Sequence, residues 1–236
     1  MGAKTSLVLI GDGSLAGAGS PDPAAARALA AASVPGYELT PLGETELIEE
    51  VRPAHELIYV AIAGDTAALS DRRVADWAAP PAPLLELAAG RRIVRHAMHS
   101  VSDAFQLTVW EAGEIVRDLA MSAGSGVTAD AGPRYPFEEP FWAGAHPVPA
   151  PGYRIPFHPL DLGEQALRAF FGFIIEGRAA PTDIDPFTIR ALGFRAVDPS
   201  GAEARAEERM RATVARMVAK GPRRLTLDDV LPPQPR

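Results

Sequence analysis

The chain has 236 residues, no cysteine and a formal net charge of −7, from 23 basic and 30 acidic side chains. The lack of cysteine excludes a disulfide framework, a thiolate metal site and a cysteine nucleophile. Basic residues are scattered apart from short pairs such as Arg91-Arg92, so no positive stripe indicates nucleic-acid binding. We therefore predict no nucleic-acid partner.

Apolar runs in this sequence are too short to cross a membrane, because a transmembrane helix needs about 20 consecutive apolar residues. The apolar segment near the N-terminus, residues 7–10, is also shorter than the core of a signal peptide. The sequence therefore predicts a cytoplasmic protein without a membrane partner.

The first third of the sequence predicts alternating strands and helices. Residues 6–10 predict a buried strand that ends in a glycine turn. Asp22 and Pro23 then predict the capped start of an alanine-rich helix over 24–32. Two further strands and a second helix follow at 37–40, 57–63 and 84–89.

Residues 91–121 predict the centre of a sheet. A strand begins at Ile93, and a hairpin over 105–121 follows it. The hairpin turn is predicted at residues 111–114, where Gly113 suits the left-handed position of a type I turn with a bulge. Glycine and proline are frequent over 124–151, which predicts a loop.

Two helices are predicted in the C-terminal part. Asp161 and Glu164 suggest a capping box for a helix over 164–176, which Gly177 ends. Its apolar residues cover most of its circumference, so it is expected to pack against the sheet. A second helix over 202–220 has a narrow apolar stripe, which can pack within the chain or form a homodimer.

Together these elements predict an α+β fold, with mixed α/β as the alternative. The predicted core is a central, largely antiparallel sheet that contains the 105–121 hairpin and is packed by the helix at 164–176 and a C-terminal helix at 202–220. We expect a single domain over 1–221 and a flexible, proline-rich tail over 222–236.

Gly11, Asp12 and Gly13, with Ala16, match the glycine fingerprint of dinucleotide-binding loops directly after a strand. In such loops the chain runs straight into a helix whose N-terminus faces the pyrophosphate. Here a segment with further glycines and prolines intervenes before the helix. A plain turn is therefore favoured and no cofactor is predicted, with nucleotide binding at Gly11–Gly13 kept as a third functional hypothesis.

His96, His99 and Asp103, together with the more distant His158, have side chains that can bind a metal or relay a proton. On a continuous strand His96 and His99 point to opposite faces, so they cannot share one ion. We predict no metal site here and expect one imidazole to be hydrogen-bonded in or near the core.

The segment 135–146 is an aromatic loop framed by prolines, with Tyr135, Phe137, Phe141, Trp142 and His146. Loops of this kind either pack onto a sheet or contact a partner.

Two adjacent carboxylates, Glu138 and Glu139, lie among these aromatic residues. Paired carboxylates can divide acid and base roles when their environments separate their pKa values. The side chains of adjacent residues usually diverge, however, which favours loop anchoring or binding over catalysis.

Four motifs carry a family resemblance: MGAKT at 1–5, HAMHSV at 96–101, PFEEPFWAG at 136–144 and PFHPLDLGEQALRAFFGF at 156–173. With them the sequence resembles an uncharacterised family, a domain of unknown function of high-GC Gram-positive (actinobacterial) proteins. The resemblance extends over most of residues 1–177 and is poor over 65–90. That family has no assigned activity or cofactor, so the resemblance implies membership and assigns no catalytic residue.

The leading functional hypothesis is a non-enzymatic binding or regulatory module that contacts an unknown protein or small-molecule partner through the loop at 135–146. The alternative is a hydrolase that uses His96 or His99 with Asp103 or with the Glu138–Glu139 pair, in a cleft beside the hairpin. A hydrolase must bring a histidine and a carboxylate within hydrogen-bond reach in one pocket. That geometry separates the two hypotheses.

Overall fold

A nine-stranded antiparallel sheet dominates this computed structural model, which describes residues 2–148 and 154–220. The strands are β1 Lys4–Ile10, β2 Glu38–Glu46, β3 Leu57–Ala63, β4 Thr66–Asp71, β5 Ile93–His99, β6 Ala104–Glu111, β7 Glu114–Ser122, β8 Gly126–Ala131 and β9 Arg190–Val197. Their order across the sheet is β2-β9-β3-β4-β1-β5-β6-β7-β8. The predicted α+β class with a largely antiparallel sheet is confirmed.

The helices are α1 Pro23–Ser33, α2 Ala82–Ala88, α3 Glu139–Trp142, α4 Pro159–Phe171 and α5 Ala202–Lys220, with 3-10 helices at Leu47–Glu50, Arg72–Asp76 and Pro186–Thr188. The chain divides between Val197 and Asp198 into two compact units. The first contains the sheet and α1 to α4, and the second contains α5, which has the predicted bounds. The single domain over 1–221 and the homodimer stay predictions, and the tail at 222–236 lies outside the described residues.

Alternation of side chains along each strand produces two apolar layers, one on each face of the sheet. In β1, Leu7 and Leu9 belong to the layer that also contains the buried residues of α4. Val8 and Ile10 belong to the layer that contains the buried residues of α1 and α2. We call these faces of the sheet the α4 face and the α1 face.

The start of α1 has the predicted chemistry. The side chain of Asp22 accepts a hydrogen bond from the backbone N–H of Ala25 at 2.8 Å, and Pro23 occupies the first helical position. A side-chain cap satisfies one of the N–H groups that a helix N-terminus leaves unpaired. Proline costs nothing at this position because its missing N–H would be unpaired there in any case.

The hairpin over 105–121 is confirmed, but its turn differs from the prediction. Both central residues, Ala112 and Gly113, have positive φ angles, of 48° and 84°, as a two-residue type I′ turn requires. The irregularity in the pairing lies in the strands, between Val109 and Trp110. A turn of this kind matches the right-handed twist of the strands, so the connection needs no third residue.

The predicted helix over 164–176 is present with its bounds at Pro159–Phe171. Its N-cap is His158 instead of Asp161, because the ring Nδ1 accepts a hydrogen bond from the Leu160 N–H at 3.2 Å. It ends at Gly172, which adopts a left-handed conformation with φ of 81°. Gly172 thus takes the terminating role that was predicted for Gly177.

Candidate functional site

The loop that follows β8 is held to the sheet by an ion pair that solvent does not reach. Arg117 of β7 binds Glu138 through two parallel hydrogen bonds, Nε to Oε1 at 3.0 Å and Nη2 to Oε2 at 2.6 Å. Both side chains have 0% exposure. The remaining Arg117 nitrogen, Nη1, binds Asp130 Oδ1 at 2.6 Å and the Ala131 carbonyl at 2.9 Å. Paired hydrogen bonds of this geometry fix position as well as charge.

Electrostatics favour the charged form of Arg117. Burial opposes its positive charge, yet the hydrogen bonds to Glu138 and Asp130 raise the pKa of this guanidinium above its ordinary value. Glu138 also accepts the backbone N–H of Tyr135 at 3.0 Å. One carboxylate therefore ties together the strand, the start of the loop and the helix α3 that follows it.

The first two aromatic residues of the loop pack against α4. The rings of Tyr135 and Phe137 stack with centroids 5.9 Å apart, and both meet Phe170 of α4 edge-on, at 5.1 and 5.8 Å. Both side chains keep part of their surface in solvent. Edge-to-face and stacked pairs of this kind stabilise an arrangement beyond their buried area.

The remaining aromatic residues form a second group around Phe157. Phe141 is 2% exposed and meets Phe157 edge-on, while the exposed ring of His146 stacks on Phe141 at 4.2 Å. Trp142 contacts Phe157 from another side and is covered by the Arg134 guanidinium, 4.1 Å from its ring centroid. The structure thus brings together all five predicted contact residues, on the α4 face.

The two adjacent carboxylates have different environments, as the alternative hypothesis requires, but they do not converge. Glu138 is committed to Arg117 and to the Tyr135 N–H. Glu139 is exposed in the first turn of α3. A buried carboxylate that accepts hydrogen bonds from Arg117 and from the Tyr135 N–H holds the loop in place.

His96 lies in the core of the α4 face. Its Nε2 is 2.9 Å from the Gly163 carbonyl, and its Nδ1 is 2.9 Å from Thr5 Oγ1. The carbonyl can only accept, so Nε2 carries the proton and Nδ1 accepts from the threonine hydroxyl. Burial lowers the pKa of His96 to about 4, so the ring is neutral near pH 7.

His99 lies three residues further along β5, on the α1 face, and its Nδ1 is 3.2 Å from Ser102 Oγ. Asp103 lies near a different histidine: its Oδ1 is 3.8 Å from His158 Nε2, beyond the range of a direct hydrogen bond. The structure therefore separates His96 from His99 and brings Asp103 to His158. Both ring nitrogens of His96 are committed, which leaves that residue unable to act as a base.

The glycine turn after β1 packs closely against the turn between β3 and β4. A side chain at Gly11 would place Cβ 2.8 Å from the Asp65 carbonyl, and one at Gly13 would place Cβ 2.4 Å from Thr66 Oγ1. Asp12 pairs with Arg92 at 2.9 Å. Protein atoms explain both glycines, and the helix that follows begins only at Pro23, with its N-terminus capped.

Replacing Gly11 with alanine is expected to lower the free energy of unfolding by about 1–3 kcal/mol, since Gly11 has φ of 104° and no room for Cβ. The matched control is Gly19→Ala, because a Cβ there meets no atom within 4 Å. Urea denaturation of both variants is the measurement. Equal free energies of unfolding for the Gly11 and Gly19 variants would show that the close packing at Gly11 does not contribute to stability.

Two features of the structure were not predicted from the sequence. The first is the burial of Arg117. This residue shares the α4 face with the buried Leu119 and Met121, so the alternating pattern of the strand indicates that its charge is buried and needs a partner. The second is a cluster of basic side chains beside His99. Its members come from distant segments, and no local pattern indicates that they meet.

Metal ligation and membrane insertion find no support in the described part of the chain. No group of three or more histidine or carboxylate side chains there is arranged to hold a metal ion. None of the helices in residues 2–148 and 154–220 combines the length and the apolar character of a membrane-spanning segment.

Fold and site together define an α+β protein with a broad antiparallel sheet, whose α4 face carries an aromatic loop clamped by a buried ion pair. The model of the family of unknown function DUF6928 matches residues 9–194, and the chain belongs to this family. Membership in an uncharacterised family, which the sequence motifs predicted, is thereby confirmed. No curated protein and no solved structure matches the chain.

Proposed function

We propose that this protein is a non-enzymatic binding module whose contact surface includes the aromatic loop at 135–146, and that its partner is a protein. The observation that carries the proposal is the buried Arg117–Glu138 pair, which fixes a loop that still exposes part of its aromatic surface. The pair fixes the position of the loop, so that the exposed part of its aromatic surface is held in one arrangement.

Rigidity before binding supports this role. A partner that meets a mobile loop must order its backbone and side chains, at about 0.5–1.5 kcal/mol for each immobilised side chain. Here the Tyr135–Phe137 stack and the Arg134–Trp142 contact already hold the side chains in place. Binding would therefore retain more of the interaction energy.

The composition of the surface supports a protein partner over a small molecule. Tryptophan, tyrosine and arginine are the residues that most often dominate protein interfaces. Here Arg134 contacts the ring of Trp142 and is followed in the chain by the partly exposed Tyr135.

Replacing Trp142 with alanine is expected to weaken partner binding by about thirtyfold or more, because truncation of a central aromatic residue costs about 2 kcal/mol or more. The partner is first captured from a lysate of the native host on immobilised protein and identified by mass spectrometry. Its affinity for the wild type and for each variant is then measured with purified components by calorimetry.

The matched control is Trp77→Ala, which removes the same side chain from the α1 face. Thermal unfolding of both variants separates loss of binding from loss of fold. If Trp142→Ala proves unstable, Arg134→Gln removes an exposed part of the same surface and should also weaken binding. Equal affinity of Trp142→Ala and Trp77→Ala for the partner would exclude the loop as the contact surface.

A further inference from the structure

A small pocket of about 120 Å³ lies beside the last residues of β5, away from the aromatic loop. Its lining includes Arg52, His99 and Gln106, together with Ala75 from the 3-10 helix Arg72–Asp76. The Ser6 N–H donates to the Val51 carbonyl at 2.8 Å, which places residue 52 alongside β1. The pocket is therefore built by segments that are distant in sequence and fixed by the sheet.

Basic side chains gather around this pocket. Lys4 lies directly across from His99 in the β1–β5 register, where side chains of paired residues are neighbours. Burial lowers the pKa of the His99 ring, and the positive charges of Arg52, Lys4 and Arg72 lower it further. Burial and Arg72 likewise lower the pKa of Arg52. The charges are thus close enough to repel one another.

Carboxylates of the described residues do not neutralise this cluster. Lys4, Arg52 and Arg72 form no ion pair within the described ranges, although the whole chain carries an excess of acidic side chains. Like charges that converge without counter-ions destabilise a fold. An anion from outside the chain would remove that repulsion.

Hydrogen-bonding groups accompany the charges. The side-chain oxygen of Gln106 is buried in the described structure without a donor, and an amide can either accept or donate depending on which end it presents. The imidazole of His99 lines the same space. A ligand with both charged oxygens and a hydroxyl group could satisfy these side chains together with the guanidinium of Arg52.

We propose that this pocket binds the phosphate group of a small molecule, with Arg52 of its lining and the nearby Lys4 supplying charge and Gln106 a hydrogen bond. Phosphate is favoured over carboxylate because its charge at neutral pH is close to −2, which better balances three fixed positive charges. The volume admits one such group and is below the range of pockets that enclose a drug-sized ligand. The rest of the ligand therefore projects outward.

Inorganic phosphate, glycerol 3-phosphate and acetate are the probes, titrated into the full-length protein at constant ionic strength. Calorimetry is expected to show saturable binding of at least one phosphate compound and weaker binding of acetate. Tighter binding of glycerol 3-phosphate would identify a phosphate ester as the ligand, and tighter binding of inorganic phosphate would identify the free ion. In NMR spectra, phosphate should shift the His99 ring signals, assigned with His99→Asn, and leave those of the exposed His146 unchanged.

The variant Arg52→Gln is expected to weaken phosphate binding by about tenfold or more, since a hydrogen bond to a charged group is lost. Arg178→Gln removes the same charge from an exposed position elsewhere and should leave affinity unchanged. If Arg52→Gln does not fold, Arg72→Gln tests the same cluster from an exposed site. Any of three results would overturn the proposal. These are an equal loss of phosphate affinity in Arg52→Gln and Arg178→Gln, an affinity for acetate equal to that for phosphate, and the absence of saturation at millimolar phosphate.

Discussion

Replacing Glu138 with alanine is expected to lower the free energy of unfolding by about 3–5 kcal/mol, the cost of leaving a buried charge without its partner. Arg117 has 0% exposure, and Glu138 occupies two of its three guanidinium nitrogens. Asp130, which stays paired to the third nitrogen, is 31% exposed and compensates only in part. Urea denaturation at pH 7 is the measurement.

The neighbouring substitution Glu139→Ala is the matched control. Glu139 has the same charge one residue away and is exposed, so its loss should change stability by no more than about 0.5 kcal/mol. A double variant, Arg117→Met with Glu138→Leu, should recover most of the lost stability, because apolar replacement of a whole buried pair is often neutral. A loss below about 1 kcal/mol in Glu138→Ala would show that solvent reaches Arg117 after the substitution.

The same pair links stability to the proposed function. Glu138 accepts the Tyr135 N–H, so its removal also frees the segment that positions the aromatic side chains. The double apolar variant restores burial without restoring this hydrogen bond. We therefore expect it to fold well and still bind the partner more weakly than the wild type, which distinguishes loop order from overall stability.

Strands rich in β-forming residues were predicted from the sequence. Strands that form mainly because they pair with distant segments were not. β3, with the residues LIYVAIA, has the predicted bounds of 57–63. β4 is buried along its whole length and rich in small residues, so it shows no alternation to read. β8 lies where a loop was predicted, because glycines flank a short edge strand there.

β9 illustrates why the sheet order could not be derived locally. Its residues pair with β2, where Glu38 lies opposite Val197, and with β3. Gly193 interrupts its pattern at a point where the ring of Tyr59 lies 2.7 Å from the position that a Cβ atom would occupy. Long-range pairing selected this segment as a strand, although its own composition is a weak signal.

Glu164 shows how a correct local motif can serve another purpose. Its position suggested a capping box, yet it is 7% exposed and accepts the N–H groups of Ile175 and Glu176, at 2.8 and 3.2 Å. It therefore holds the segment that follows α4 against the helix. The sequence revealed a carboxylate near a helix start, while the tertiary fold decided which backbone groups it would meet.

The two candidate sites also differ in whether the sequence could reveal them. The aromatic residues of the loop are adjacent in sequence, so the loop could be recognised as a unit. The pocket proposed to bind phosphate is lined by Arg52 and His99, with Lys4 and Arg72 near His99. The proximity of these residues arises from the strand register and from the 3-10 helix against β1. Only the folded structure brings such charges together, since each of them alone is an ordinary surface residue.

His96 is expected to contribute a loss of stability on acidification between about pH 6.5 and pH 4. Burial lowers the pKa of His96 from 6.5 to about 4 in the folded chain. In this window the unfolded state binds a proton that the folded state does not, so stability rises with pH. The difference corresponds to about 3 kcal/mol, fully present above pH 6.5 and lost by pH 4.

Comparing variants isolates this contribution, because buried acids change stability with pH in the opposite direction. Burial raises the pKa of Asp71 and of Glu164, which favours the folded state at lower pH. These contributions are common to the wild type and to His96→Gln, so the difference between their slopes belongs to His96.

The slope of unfolding free energy against pH should be shallower in His96→Gln, whereas His146→Gln, which replaces an exposed imidazole, should keep the wild-type slope. Parallel slopes for the wild type and His96→Gln would mean that the His96 ring gains a proton without unfolding, which its burial and the hydrogen bond that its Nδ1 accepts from Thr5 oppose.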